Sequence, residues 1–437
     1  MDRRQIIQAA AAAAGLAATT GLRAQSAPAL RAGRPFAGQT VNVLSVVAPQ
    51  FSAHEAMLPE FERLTGIQVK YQYIPFASMR EKLTAELVAK TDQYDVLSAM
   101  DVWGPSLYGL FDPLNARLAE KKIDVESRYP YAHLRAARDQ NGNGSNVMGL
   151  PIRGHVQLLF YRKDVFSRLN LQPPETWDQM VEIGRQIQGK TDLAGVAMYY
   201  GKTGGQNLMI WFNYLWGMGG DLLDAKGQPA FNSERGVAAT QAYVDVMLKH
   251  KVAPPGSATF NETDAVNSVA QGRSAMVPVW WWRYAMLTDP KTSTLKRDQV
   301  GFAPLPAMPG RDATTYTNTW FYGINRNSRR KDAAMEYLTW LTDPAIERSV
   351  LLDPKLNEVV AVQTANLLDG DVNVRFGGMH LFGAQALKGA KGTPLFPQWG
   401  QVSDILEATI SDIAAGQVQV KAGLDAAAGR VRRAMRG

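Results

Sequence analysis

Between residues 40 and 97 the hydrophobic pattern switches repeatedly between a period of two and a helical period, and this alternation restricts the possible folds more than any other feature. Residues 41–47 (Val-Asn-Val-Leu-Ser-Val-Val) are β-rich and read as a buried strand. Phe51, Met57, Leu58, Phe61 and Leu64 then supply the apolar positions of a helix that Gly66 should close. Residues 67–73 alternate as a half-buried strand does, Met79, Leu83, Leu87 and Val88 keep helical spacing, and residues 94–97 form a third short strand. Strand, helix, strand, helix, strand with short links predicts a parallel, helix-covered sheet, hence an α/β class.

A second body should begin near Pro151. Residues 156–161 read as a strand, and Thr176-Trp177-Asp178-Gln179 as a capping box that opens a helix. Another strand is predicted over 195–200, helices over 207–216, 233–249 and 263–271, and a returning strand over 274–280. Residues 303–311 are a proline-rich link, too stiff and donor-poor for a central strand. A strand over 320–324, a helix over 329–341 and a helical last forty residues complete the pattern; Arg329-Arg330-Lys331 should lie on the solvated start of that helix. A length of 437 residues allows two or three domains.

The chain has no cysteine, which excludes disulfides, cysteine-bound metal, thiol catalysis and a lipid-modified cysteine anchor. The net charge of +7 is spread along the sequence without a block of five or six like charges, so no nucleic-acid partner is expected. Residues 1–24 read as an export signal: Arg3 and Arg4 precede a mildly apolar, alanine-rich stretch, and Leu22-Arg23-Ala24 offers a small residue for cleavage. The paired arginines resemble a twin-arginine signal. The stretch is too short to span a bilayer and nothing later resembles a span, so a soluble periplasmic protein, neither inserted in the membrane nor lipid-anchored, is expected.

Known catalytic patterns fail on inspection. The five histidines lack metal-ligand spacing, and His54-Glu55 has no second histidine four residues on. No Gly-x-Ser-x-Gly elbow occurs. Gly201-Lys202-Thr203 resembles the end of a phosphate loop, but Val196 stands where glycine is required. Asp139 to Gly144 fits the first half of a calcium loop whose twelfth position, Leu150, should be glutamate. No metal and no cofactor is expected. Paired carboxylates for glycoside hydrolysis have no local signature, so a secreted carbohydrate-active enzyme stays open as a rival.

Several segments, in order, resemble the family-1 extracellular solute-binding proteins, the maltose-binding-protein-like carriers of carbohydrate ABC transporters. They are residues 59–69 (Pro-Glu-Phe-Glu-Arg-Leu-Thr-Gly-Ile-Gln-Val), Tyr94-Asp95-Val96, Pro113-Leu114-Asn115, Leu150-Pro151, and residues 159–164 (Leu-Phe-Tyr-Arg-Lys-Asp). Pro173-Pro174-Glu175-Thr176-Trp177-Asp178, residues 271–276 (Gln-Gly-Arg-Ser-Ala-Met), Pro304-Leu305-Pro306 and residues 332–341 extend the match over nearly the whole mature chain. One departure follows the last of these: the family's glycine-and-proline turn is replaced by Asn357-Glu358-Val359-Val360-Ala361-Val362.

The resemblance implies a two-lobed periplasmic-binding-protein fold (type II-like) with the ligand between lobes joined by hinge segments. Residues 38–150 with 312–355 would form lobe 1, and 151–311 with 356–437 lobe 2. It also implies a monomer that delivers a carbohydrate or polyol to ABC permease subunits and breaks no bond. Sugar rings stack on aromatic faces while polar side chains saturate the hydroxyls. Trp282 matches the family's stacking tryptophan, with Trp280 the alternate and Arg283 beside it; a core aromatic cluster is the other reading. Asp101 and Trp103 follow the third strand, where open sheets bind ligands, or Asp101 caps a helix. Arg153 and His155 fall on the crossing segment. Gln206, Asn207 and Trp211 open a helix that faces the cleft in related folds, unless the amides cap it. Trp320 and Tyr322, Trp399, and Gln50 and Phe51 complete the candidates. An anionic solute, such as a sugar acid or glycerol phosphate, is the rival within this fold if Arg153, Arg283 and Arg375 converge.

Overall fold

The structure, a computed structural model, describes residues 28–139, 144–356 and 359–436. The export signal, most of the Asp139 to Gly144 segment, and Asn357 and Glu358 of the departure lie outside the described residues. The described residues divide into two compact units: the first comprises those up to Gly154 together with those of Asn318–Lys388, the second His155–Thr317 and those from Gly389 onward. Residues 356–388, expected with the second lobe, therefore cluster with the first.

The strands are β1 (Thr40–Val46), β2 (Gln68–Ile74), β3 (Val96–Met100), β4 (Phe111–Asp112), β5 (Leu150–Arg162), β6 (Met276–Trp280), β7 (Val300–Pro304) and β8 (Thr317–Asn325). The helices of eight residues or more are α1 (Leu58–Thr65), α2 (Phe76–Ala89), α3 (Trp177–Lys190), α4 (Gln206–Gly217), α5 (Glu234–Leu248), α6 (Glu262–Ala270), α7 (Lys331–Leu341), α8 (Pro344–Leu352), α9 (Met379–Lys388), α10 (Trp399–Ala414) and α11 (Val420–Ala434). None of the described helices is long and apolar enough to cross a membrane.

In the first unit β1 lies between β2 and β3, parallel to both, as the alternating pattern requires. Strand β8 joins β3 antiparallel and places Trp320 opposite Met100. Gly66 ends α1 in the left-handed conformation (φ 73°) and returns its N–H to the Glu62 carbonyl at 2.7 Å, which a residue with a Cβ would do under strain. Fully buried Val43, Leu44, Phe61, Leu97, Phe321 and Trp340 form the core between sheet and helices. The basic run before α7 does not lie wholly in solvent. Arg329 is 88% exposed, but Arg330 is drawn to the buried carboxylate of Asp95, which also accepts from Ser328 and the Asn42 N–H. An unpaired buried carboxylate would be costly, and these donors remove that cost.

In the second unit β5 is flanked antiparallel by β6 and β7. The predicted capping box is present, with Thr176 accepting from the Gln179 N–H and Gln179 bonding back to the Thr176 N–H. Asn261 and Asp264 form a second capping box at α6, and Ser233 caps α5 by accepting from the Gly236 N–H. Residues 195–200, predicted as a strand, form no ladder. The N–H groups of Val196 and Tyr200 go to the carbonyls of Val252 and Ser257 in the connection between α5 and α6, and that of Ala197 to Met276 of β6, so the stretch is extended and buried without a single neighbour strand. The proline-rich link enters β7 only as far as Pro304, at the end of a strand where a missing donor is tolerated.

Candidate functional site

The candidates divide into two groups, one on each unit. In the first unit the carboxyl ends of the parallel strands set the positions. The chain leaves β1 into the four-residue helix Pro49–Ser52, which carries Gln50 and Phe51, and leaves β3 into a turn of 3-10 helix with Asp101 and Trp103. Register with β3 brings Trp320 of β8 to the same end. The rings meet edge to face: Phe51 lies 5.3 Å from Trp320, and Trp320 lies 5.2 Å from Trp103 at 82°. Phe76 joins them, 5.6 Å from Trp103 and 43% exposed. Sequence reasoning missed Phe76; its only signal was a large aromatic at a helix start just after Pro75. Tyr322 packs 6.5 Å from Phe51 and shares a 2.7 Å hydrogen bond with Ser45.

Two buried charged groups border this cluster. Asp101 accepts from the Val102 N–H at 2.8 Å, and burial pushes its carboxyl up to about 7 while Arg135 pulls it back. This bond stays within the turn and is not the helix cap of the alternative reading, since Met100 holds the N-cap position and no side chain caps the turn; the Thr319 backbone also supports the carboxylate form. Arg153 donates from Nη1 to the Ile152 carbonyl at 2.7 Å and from Nη2 to the Gln50 carbonyl. Burial brings it down to about 10, so it stays charged near neutrality, with the buried Glu347 carboxylate exerting the opposing pull. The cavity lined by His54, Arg153, Glu347 and Gln363 measures about 10 Å³. That suits about one water molecule and excludes a solute.

In the second unit the rings form a continuous run. Trp282 lies 6.3 Å from His155, His155 5.9 Å from Trp280, and Trp280 5.6 Å from Tyr316. Tyr316 stacks on Phe212 at 5.7 Å and 11°, and Phe212 on Trp216 at 4.9 Å and 16°. Trp399 closes the run 6.1 Å from Phe212. The three adjacent tryptophans split between core and run: Trp281 is fully buried, whereas Trp282 is half-buried with the Arg283 guanidinium 4.1 Å above its ring. Asn213 ties the run together, donating to Gln157 at 2.6 Å and accepting from the Tyr316 N–H at 2.7 Å.

Three expected residues serve the scaffold instead. Trp211 is fully buried, and its indole N–H bonds Thr240 at 2.8 Å. Asn207 donates to the carbonyls of Tyr200 and Glu407, and Gln206 accepts from the Glu262 N–H at the start of α6. The reason is geometric. Helix α4 is apolar on nearly all sides, so its sequence does not mark which face is innermost. One residue of error turns a side chain by about 100°, and the rings in the run are Phe212 and Trp216. These two and Tyr316 were missed; the aromatic pair four residues apart was a signal for the first two, and nothing local marked Tyr316.

The three arginines of the anionic reading are all engaged. Arg283 donates to Glu262 at 2.5 Å and to Thr263 at 3.2 Å, and Arg375 to the carbonyls of Leu351 and Leu356. Arg153 and Arg375 are in the first unit and Arg283 in the second. Among the described residues no group of three histidines, cysteines or carboxylates could hold a metal ion.

Comparison with known proteins agrees with this architecture. The profile of the bacterial extracellular solute-binding proteins matches residues 47–347. A probable amino-acid ABC transporter periplasmic-binding protein of Sinorhizobium fredii is 30% identical, over 78% of this chain and 80% of its own length. A mannitol-binding protein of Pseudomonas aeruginosa is 25% identical, over 65% of this chain and 64% of its own. The crystal structure of an ABC transporter solute-binding protein from Agrobacterium radiobacter in complex with ribitol superposes with a TM-score of 0.78 at 24% identity, covering 91% of this chain and 99% of that one. With the parallel first sheet, the two units and a profile that spans most of the sequence, the chain belongs to the bacterial extracellular solute-binding proteins and has their two-lobed α/β fold.

Proposed function

We propose that this protein is the solute-capturing component of an ABC importer, and that its solute is a polyol or small neutral sugar held against aromatic faces. The observation that carries the reading is that each unit carries a cluster of aromatic rings, while Arg153, Arg283 and Arg375 are each bonded within the protein. Aromatic faces suit the C–H surface of a polyhydroxylated solute, and an anion would need a cation not already engaged. The mannitol-binding relative and the ribitol-bound structural neighbour support this class. In this reading the permease receives the ligand unaltered, and the protein works as a periplasmic monomer after export through the twin-arginine route.

A second reading is favoured by the Sinorhizobium relative, described as a probable amino-acid carrier. A zwitterion demands one acid and one cation side by side. Asp101 could supply the acid, and Arg135, whose charge acts on it, is the cation such a solute would have to share with it. Isothermal titration separates the two. Ribitol, D-mannitol, erythritol and maltose should include a binder, whereas L-amino acids, glycerol phosphate and sugar acids should not. Binding confined to amino acids or anions would overturn the polyol reading. Product appearing from a sugar panel at catalytic protein concentration would overturn the carrier reading altogether.

A further inference from the structure

We infer that Arg153 is a positioning residue: its guanidinium fixes the Gln50–Phe51 turn and thereby the Phe51 ring within the first unit's aromatic cluster, and it does not touch solute. The inference rests on the reading above that this cluster lines the solute site.

The turn needs an anchor. Pro49–Ser52 is a helix of only four residues whose N-cap, Ala48, offers no side-chain acceptor, and its internal backbone support is the Ala48 carbonyl, which accepts from the Phe51 N–H at 2.9 Å and more weakly from the Ser52 N–H at 3.4 Å. So short a helix has no stability of its own. Arg153, 103 positions later on β5, supplies the missing restraint. One terminal nitrogen grips its own strand at the Ile152 carbonyl and the other the Gln50 carbonyl, so the planar group bridges strand and turn. A lysine ammonium, a single point, cannot hold both carbonyls in the same fork geometry. Phe51 follows Gln50 directly, and its ring meets Trp320 edge to face.

The charge is balanced inside the protein. Arg153 is 2% exposed, and the buried Glu347 carboxylate opposes it while accepting from the Val362 N–H at 2.8 Å and Asn366 at 2.7 Å. His54 lines the same small cavity and is kept neutral, its pKa well below the usual value through burial and the Arg153 charge. No room remains there for a solute. Arg153 can therefore affect binding only through what it holds.

The experiment combines amide hydrogen exchange with titration of D-mannitol, on Arg153→Met, Arg153→Lys, Phe51→Ala, Trp320→Ala and the double variant Phe51→Ala with Arg153→Met. Arg153→Met should speed exchange at the Phe51 and Ser52 amides by about tenfold and weaken D-mannitol binding by about tenfold, the loss expected for one charge-assisted hydrogen bond. Arg153→Lys should recover part of both. In the Phe51→Ala background Arg153→Met should add little, because the two act through one ring. Unchanged exchange at residues 51 and 52, or affinity losses that multiply in the double variant, would overturn the inference. Should Arg153→Met not fold, Arg153→Lys decides by the same two readouts. If D-mannitol does not bind, or Phe51→Ala and Trp320→Ala leave its affinity unchanged, the assignment of this cluster to the solute site fails, and exchange at residues 51 and 52 still decides whether Arg153 positions the turn.

Discussion

The two units solve the same packing problem with different materials. The first buries many ionisable side chains: His54, His133 and His380, Asp101, Arg153 and Glu347 are all interior. The second buries fewer of them, His155, Glu262 and Glu407, and fills its interior mainly with aromatic rings and neutral hydroxyls: Tyr243 donates to the Tyr199 carbonyl at 3.0 Å, Tyr200 donates to the Tyr243 carbonyl at 2.8 Å, and burial keeps both phenols protonated by raising them far above their usual range. Edge-to-face contacts in the first cluster and stacked rings in the second follow the same division. The difference teaches where pH can act. A buried titratable group ties folding to proton uptake, whereas stacked rings and phenols do not titrate near neutrality.

Replacing a core ring of the second unit should have the largest effect. Trp211→Ala removes a fully buried indole and its bond to Thr240, and should cost about 3–5 kcal/mol in denaturant unfolding. That cost should not vary between pH 5 and 8; a strong variation would break the contrast between the units.

Asp101→Asn comes next and tests the first unit. The folded pKa of Asp101 is about 7 against an ordinary value of 3.8, so the native state holds a proton that the unfolded state has released. The stability this contributes is full below pH 3.8 and is lost as pH rises through 7, up to a ceiling of about 4 kcal/mol. The amide cannot ionise and should flatten the fall. His133 and His380 act with the opposite sign. Burial lowers them to about 4 and 3, so their contribution is full above pH 6.5 and lost as pH falls toward those values. Unfolding curves of both proteins at pH 4, 5.5, 7 and 8 check this, and an unchanged slope in Asp101→Asn would remove Asp101 from the account.

A smaller effect is expected at Trp282, half-buried at the end of the run. Trp282→Ala should weaken the polyol or sugar identified by titration about tenfold, the loss of one ring contact, and shift stability by about 1 kcal/mol or less. An unchanged dissociation constant would restrict the solute wall of the second unit to the inner rings. Arg329→Ala should be smallest. Its ion pair with Asp92 is exposed, so unfolding should move by less than about 0.5 kcal/mol at any salt concentration.

Much of the fold was readable because its signals are local. Gly66 ends α1, Thr176 and Gln179 form the capping box, and the alternating strands before residue 97 pair in parallel, each for a reason contained within a few neighbouring residues. The division of Trp280, Trp281 and Trp282 between run and core followed from one steric fact: three consecutive side chains cannot share a face. Residues 195–200 were misread because two separate segments, a loop and the start of β6, satisfy their N–H groups, and no periodicity records that. Residues 356–388 were placed with the wrong unit because no familiar turn marked the return of the chain.

By itself the sequence determined the α/β class, the absence of thiol chemistry, the family and most element boundaries, since these depend on residue type and spacing along the chain. Only the tertiary structure decided that Trp211 belongs to the core and Phe212 and Trp216 to the run, and that Arg153 grips a carbonyl 103 residues earlier. The physical reason is that a side chain's role depends on which distant atoms share its surroundings. A donor among apolar neighbours must find an acceptor wherever the fold places one, and that choice leaves no mark in the neighbouring sequence.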